Sequence, residues 1–556
     1  MNELNNKPLW NFEYLRHRIL NLAQRNRNSC LFGCCDRQYW GWKQRDFPDL
    51  TKQYSLYPYS RLMGNDPTER DWFRGMVLFL LRNLRPDGSA DQCFPREASI
   101  GPTLYLMHAL LSSYEQVLKC FDAAGIESVR KAILRSLNFA ISHPEDYGKV
   151  ANHKALYAHA YLMGHRLFGN ERLLQAYVKE IHEVQSLFQE GWFMEYETAD
   201  PGYQTQCLHY LTLCWQDRPD ETLKKMILDS IEQFLVYFVF PDGSFSGTFG
   251  GRATECVYPY PLFFWSRESP AARELATYIF LTKNGKALPR WDALDDDNCL
   301  RIGTNFLCTA GIISEWQPAA DFSHLPWANA TRRYWPQAGL IAISDACKYM
   351  VINAKRGGIF KLVSADGAQS IDDTGYLLKF KDGSYVSSHF DDNALIDYNA
   401  DQNVVRLEKV FTLWKEPVLD ASRLVLLRLL AWTVLRFKTF SRLLKKQMVK
   451  ALMRQQGKGC FRLCRSITAE GVRLKIQDTV SSTSSCPFSC SLTSSLIPFH
   501  MASAGYYHDS PRQLPEYAFS DLEAKESLVI TTELFSENGK IRLKQERTMP
   551  KPIRES

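Results

Sequence analysis

Up to about residue 320 the apolar residues recur at helical spacing; after about residue 330 they fall into short strand-length runs. Residues 70–84, 103–121, 128–141, 153–168, 172–188 and 221–238 each repeat apolar positions at intervals of three and four. That period belongs to a helix with one buried face. Short turns separate the segments: Arg85-Pro86-Asp87-Gly88-Ser89, Glu190-Gly191-Trp192 and Pro241-Asp242-Gly243-Ser244. Paired helices with short turns, sustained over roughly 250 residues, predict an α-hairpin array or an α/α toroid. Beyond them, 338–344, 348–354, 359–364, 375–381 and 384–389 are short and often alternate apolar with polar. Gly357-Gly358, Asp366-Gly367 and Asp382-Gly383 punctuate these runs as hairpin turns would. The pattern resumes at 461–468, 471–478, 527–536 and 540–548.

The reading is a multidomain α+β chain, with an N-terminal α/α toroid over 1–325 and an antiparallel β-sandwich over 326–556. A helical insert over 417–456 interrupts the sandwich. Charge singles out that insert. The chain carries +6 overall, but from Ala421 to Arg465 there are twelve Lys/Arg and no Asp or Glu. A total of +6 with +12 in this stretch leaves about −6 elsewhere. A protein that bound nucleic acid over its whole surface would look different, so no nucleic-acid partner is expected. Phe437, Phe440, Leu444, Met448 and Leu452 keep helical spacing among Arg436, Lys438, Arg442, Lys445, Lys446 and Lys450. Three readings fit: an interfacial helix on an anionic membrane surface, a helical hairpin packed on the sandwich with its cations solvated or facing the acidic body, or a cationic wall attracting a polyanionic sugar.

The first residues lack a basic segment followed by an apolar run, so no secretory signal is expected. No run of about 18 apolar residues is present for a spanning helix. Fifteen cysteines without an export signal read as reduced thiols. The three-residue gaps of Cys30/Cys34, Cys460/Cys464 and Cys486/Cys490 do not match common zinc knuckles, and no metal or other cofactor is expected. The expected location is cytoplasmic, with a peripheral position at the inner membrane face as the alternative.

Three clusters in the helical half carry chemistry-bearing residues. Asn152-His153 opens one helix. Gly191-Trp192-Phe193-Met194-Glu195-Tyr196 leads through Asp200-Pro201-Gly202-Tyr203 toward His209; Asp before Pro signals a helix start. Phe249-Gly250-Gly251-Arg252 is a glycine-rich turn presenting an arginine just before Glu255. All three lie at helix starts or the loops before them, and in a closed array such loops meet at one end. Each alone has an ordinary reading as a cap, a junction or a turn.

Together, in this order and followed by a β-sandwich, they resemble the heparinase II/III-like polysaccharide lyases. The motif-level likeness covers roughly residues 80–260 and the region from Arg356-Gly357-Gly358 to Asp373. The resemblance implies β-elimination on a uronic-acid-containing glycan in surface-polysaccharide metabolism, with an acidic polysaccharide or oligosaccharide as partner. Asn152 would neutralise the uronate carboxylate, His153 would act as base or charge stabiliser, and Tyr203 would move a proton between C5 and the leaving oxygen. Arg252 or His209 would favour the phenolate of Tyr203. Tyr196, Glu195, His209, Glu255 and His389 are candidate substrate-binding residues. The family's histidine pair in the β-domain is replaced by Val363-Ser364-Ala365-Asp366 and Asp372-Asp373-Thr374-Gly375, leaving His389 as the candidate there. Three alternatives stay open: a uronate C5-epimerase, a toroid glycoside hydrolase using a pair drawn from Glu195, Asp200, Asp242 and Glu255, and a non-catalytic glycan-binding scaffold.

Overall fold

A computed structural model describes residues 11–143, 145, 148–282, 288, 291, 294–379, 385–389, 392–414, 420–453, 458–470, 473–482, 491–493, 527–537 and 540–548. Its helical part is a closed ring. The helices Leu56–Leu62, Ile100–Ser112, Ala151–Phe168, Pro201–Asp217, Pro259–Trp265 and Asp296–Ala310 pack each on the next, and the last returns to the first. Each inner helix also packs on an outer one: Pro67–Asn83, Ala123–Ser142, Glu171–Ser186, Glu221–Gln233 and Pro270–Phe280 serve the first five in turn. The N-terminal helix Phe12–Leu22 covers the sixth, Asp296–Ala310. Arg18 secures this closure by bonding Asp296 at 3.2 Å and the carbonyl of Trp291 at 2.6 Å.

Position in the ring explains the sequence of each helix. Outer helices are buried along one stripe, as Leu173, Tyr177, Ile181 and Val184 are in Glu171–Ser186. Inner helices are buried almost all round, Leu104, Leu106, Met107, Ala109 and Leu110 being wholly enclosed, as a helix surrounded by others must be. Each large apolar side chain so buried contributes about 1.5–3 kcal/mol. Aspartates start many of these helices: Asp66, Asp122, Asp200, Asp220 and Asp295 each accept a backbone N–H of the first turn, a cap typically worth ~1 kcal/mol.

The β part is a sandwich. Arg332–Trp335, Leu340–Ser344, Lys348–Asn353, Ile359–Ser364 and Ser370–Asp373 form an antiparallel meander. Its three central strands are buried along their whole length, because one face meets the ring and the other meets the second sheet. The apolar–polar alternation often expected from the sequence therefore gives way where both faces are covered. The second sheet, nine strands among the described residues, centres on Val404–Trp414, Lys458–Glu470, Arg473–Ser482 and Ser527–Glu537. Arg465 ties it internally, bonding both oxygens of Asp478 at 2.7 and 2.8 Å and pairing with Asp373 at 3.1 Å.

The basic insert connects two neighbouring strands of this sheet, Val404–Trp414 and Lys458–Glu470. It consists of the helices Ala421–Trp432 and Lys438–Met453 joined by a tight turn. It lies on the ring. Ala431 and Leu435 close over Phe94, while Arg428 pairs with Asp46, Lys438 with Asp87 and Lys445 with Glu97. The hairpin expected to pack on the sandwich packs on the ring instead, through one face. No helix among the described residues is long and apolar enough to cross a membrane.

Candidate functional site

The first turns of four inner helices open into a cleft of about 530 Å³. Tyr105 comes from Ile100–Ser112, Asn152 and His153 from Ala151–Phe168, Tyr203 from Pro201–Asp217, and Asp297 and Arg301 from Asp296–Ala310. Lys52, Tyr196 and Arg252 enter from loops and the turn before Leu56–Leu62.

Backbone pairing brings the distant motifs together. The Tyr196 N–H donates to the Lys149 carbonyl at 2.8 Å and the Ala151 N–H to the Met194 carbonyl at 3.1 Å. This two-stranded zip places Asn152 beside Glu195. Asp200 then joins its own helix to the glycine-rich turn: one oxygen accepts from the Tyr203 N–H at 3.0 Å, the other from the Arg252 N–H at 2.7 Å. The approach is close enough that a Cβ on Gly251 would collide with Thr198 Oγ1. Tyr196 and Ala253 flank the site with φ of +53° and +51°, left-handed backbone that costs a non-glycine residue roughly 1 kcal/mol or more.

The centre is a buried charge relay of three residues. Glu195 accepts from Asn152 Nδ2 at 2.6 Å and from Arg252 at 2.7 Å. Burial pushes the Glu195 carboxyl up, opposed by Arg252 and Asn152. The Arg252 guanidinium lies 3.4 Å from the centroid of the Tyr203 ring and 5.5 Å from that of Tyr196, over the negative face of each π system. Burial alone would lower the pKa of Arg252, but Tyr203 and Glu195 outweigh it and hold the group charged.

A second pair orients the histidine. Glu145 faces His153 Nδ1 at 3.3 Å and accepts from the Tyr157 hydroxyl at 2.9 Å. Burial works to raise its pKa, yet His153 and Tyr157 prevail and bring it down to about 2. An ionised carboxylate only accepts hydrogen bonds, so Nδ1 of His153 carries the proton toward Glu145, fixing the ring.

Among the sequence candidates, Asn152, His153, Tyr196, Tyr203 and Arg252 share the cleft wall. Glu195 is buried behind that wall, bridging Asn152 and Arg252. His209 does not reach the cleft: it is enclosed between Tyr210 and Tyr260 in the ring's core. Glu255 lies outside the cleft lining as well. His389 is buried in the sandwich, its Nδ1 2.8 Å from Ser387 Oγ. Sequence reasoning missed Lys52, Tyr105, Glu145 and Arg301. For Arg301 a signal existed, since Asp295 caps its helix and Asp296 and Asp297 occupy the first turn. Among the described residues no group of three or more His, Cys, Asp or Glu is placed to hold a metal ion.

No protein-family model matches this sequence, and no curated protein matches it. Among solved structures the chain is similar to the chondroitin AC lyase of Streptomyces coelicolor A3, at 10% identity and TM-score 0.44, over 84% of this chain and 72% of that one. It is similar to the heparan sulfate lyase HepC of Pedobacter heparinus at 10% identity and TM-score 0.43, over 96% and 88% respectively. A β-L-arabinofuranosidase of Geobacillus stearothermophilus T6 is similar at 10% identity and TM-score 0.34, over 84% and 87%.

Proposed function

We propose that the cleft binds a uronic-acid-containing glycan and cleaves it by β-elimination. The observation that carries this reading is the Arg252 guanidinium stacked 3.4 Å from the Tyr203 ring centroid, in a cleft that also presents Asn152 and His153. A cation held there stabilises the phenolate form of Tyr203, which is the form that accepts a proton. The C5 hydrogen of a uronate is made weakly acidic by the adjacent carboxylate. Its removal throws charge onto the carboxylate oxygens, and preorganised donors beside them lower the barrier.

The step balances within the site. The Tyr203 oxygen takes the C5 proton, the C–H electrons form the C4=C5 double bond, and the C4–O bond breaks. Tyr203 then returns the proton to the departing oxygen and is a phenolate again. Asn152, with one N–H on Glu195, gives its second to the uronate carboxylate. His153, oriented by Glu145, supplies a further polar contact. Arg301 and Lys52, the latter paired with Asp297 at 2.6 Å, also line the cleft and suit an anionic chain, and the converging helix N-termini favour negative charge in the same place.

A hydrolase needs two carboxylates free to act on one bond; of the four candidates, Glu195 and Asp200 are committed to holding Arg252, and Asp242 and Glu255 lie outside the cleft lining. The test is incubation with uronate-containing polysaccharides while ultraviolet absorbance of the unsaturated product is followed. Absorbance should rise with the native chain and disappear with Tyr203→Phe. Solvent deuterium at C5 without unsaturation would replace this reading by epimerisation. New reducing ends without unsaturation would replace it by hydrolysis, and retained binding without any chemistry by a scaffold.

A further inference from the structure

We infer that the outer face of the basic insert docks on an anionic lipid surface, so that the protein sits at a membrane without crossing it. The inference is independent of the chemistry proposed for the cleft. A helix that is apolar all round belongs in a core, yet Ala421–Trp432 has only one side covered. Leu427, Leu430, Ala431 and Leu435 take part in the small core around Phe94. On the outside Val425, Leu429 and Trp432 follow one another at intervals of four and three, exposed by 59%, 60% and 72%. Phe437, Phe440 and Leu443 continue the strip along the second helix, each at least half exposed. Large exposed apolar side chains elsewhere among the described residues are scattered over distant elements, and scattered ones need no explanation. A contiguous strip does.

Charge decides what covers it. Arg428, Lys438 and Lys445 turn inward to Asp46, Asp87 and Glu97. Arg436, Arg442 and Lys446 are exposed beside the apolar strip, and Arg96 of the ring lies 5.4 Å from the Trp432 ring. The 45 residues from Ala421 to Arg465 carry twelve Lys and Arg and no Asp or Glu. Two copies meeting through this face would oppose like charges, which disfavours self-association. An anionic bilayer surface satisfies both halves of the pattern, taking the apolar side chains into the acyl boundary and the cations among its headgroups. The twelve residues of Ala421–Trp432 are too few to span a bilayer, so the contact is interfacial. The inner face of the same insert grips the segment from Asp87 to Glu97, which contributes Gln92 to the cleft wall. Docking would therefore hold the cleft beside the membrane.

Flotation of the full chain with phosphatidylcholine vesicles, with and without phosphatidylglycerol, tests the inference. Expected is co-flotation with the anionic vesicles and little with the neutral ones. The triple variant Arg436→Gln/Arg442→Gln/Lys446→Gln should partition about 100-fold less, at roughly fivefold per cation. The variant Leu429→Ser/Trp432→Ser/Phe437→Ser should lose more than about 100-fold. Both variants change exposed residues, and unchanged circular dichroism and melting would show them folded. Failure of the native chain to float with anionic vesicles would overturn the inference. So would equal flotation of native chain and folded variants. A dimer in solution that the apolar variant converts to monomer, without vesicle binding, would assign the face to a second copy instead.

Discussion

The Glu195 carboxylate accepts from Asn152 on one oxygen and from Arg252 on the other, at 2.6 and 2.7 Å, all three side chains being buried. Its work is to place the two groups that face the cleft, and to pair with the buried guanidinium of Arg252 at 2.7 Å. Glu195→Gln keeps the shape and removes that charge. The amide nitrogen of the new side chain would face either Asn152 Nδ2 or the guanidinium, donor against donor. Leaving a buried cation without its partner costs about 3–5 kcal/mol. We therefore expect Glu195→Gln to lower the urea midpoint strongly, with Asn152→Ala milder because it removes a neutral partner. Equal stability of Glu195→Gln and the native chain would show that Arg252 does not depend on this pairing.

The glycine-rich turn depends on an element from the other half of the chain. Arg356, in the loop between Lys348–Asn353 and Ile359–Ser364, donates to the Gly250 and Gly251 carbonyls at 3.2 and 2.8 Å and to Asp392 at 2.9 Å. Asn353 adds a bond to the Phe249 carbonyl at 2.8 Å. Thus the sandwich fixes the backbone on which Arg252 stands. Arg356→Lys keeps the charge but loses the planar fork that reaches two carbonyls. Its expected effect is local opening of this turn, read as tryptic cleavage after Arg252 at least about tenfold faster, each tenfold being ~1.4 kcal/mol of opening free energy. Cleavage at the native rate would mean that the turn holds without Arg356. This dependence was not legible in the sequence, although much of the surrounding structure was. Helical spacing located Pro67–Asn83, Ile100–Ser112, Ala123–Ser142, Ala151–Phe168, Glu171–Ser186 and Glu221–Gln233, and capping located Pro201–Asp217, because both signals are local. The alternation of Val405, Leu407, Phe411 and Leu413 in Val404–Trp414 went unread because the buried Lys409 interrupts it. Which loops meet, and that Phe12–Leu22 closes the ring on Asp296–Ala310, depends on pairings some 280 residues apart that no local pattern records. Tyr105 and Arg301 lie on helices far apart in sequence, and only the closed ring brings them to one cleft.

Closing the ring also seals ionisable groups inside it, and this sets how the whole molecule responds to acid. His209 is enclosed between Tyr210 and Tyr260; burial first, and His159 second, push its pKa down to about 3. His108, 2.9 Å from His159, is lowered well below the ordinary value by burial and by His159 and His209. Both are therefore neutral in the folded ring, while in the unfolded chain each takes up a proton near pH 6.5. Between that pH and about 3 the unfolded state binds more protons, so stability rises with pH and is lost as pH falls. The slope is up to ~1.4 kcal/mol per pH unit for each histidine. Glu145 acts in a lower window. Its folded pKa of about 2 adds stability that is complete above the unfolded carboxyl value and disappears as pH drops from there toward 2. Urea unfolding across pH 4.5–6.5 separates the two sources, since the carboxyl contributes little there. His209→Phe retains an aromatic ring between the two tyrosines and removes one titrating group, so its stability should fall with acid less steeply than that of the native chain, by up to ~1.4 kcal/mol per pH unit. An unchanged slope in the variant would mean that His209 is protonated in the folded state, which its enclosure between Tyr210 and Tyr260 in the ring's core does not allow without local opening.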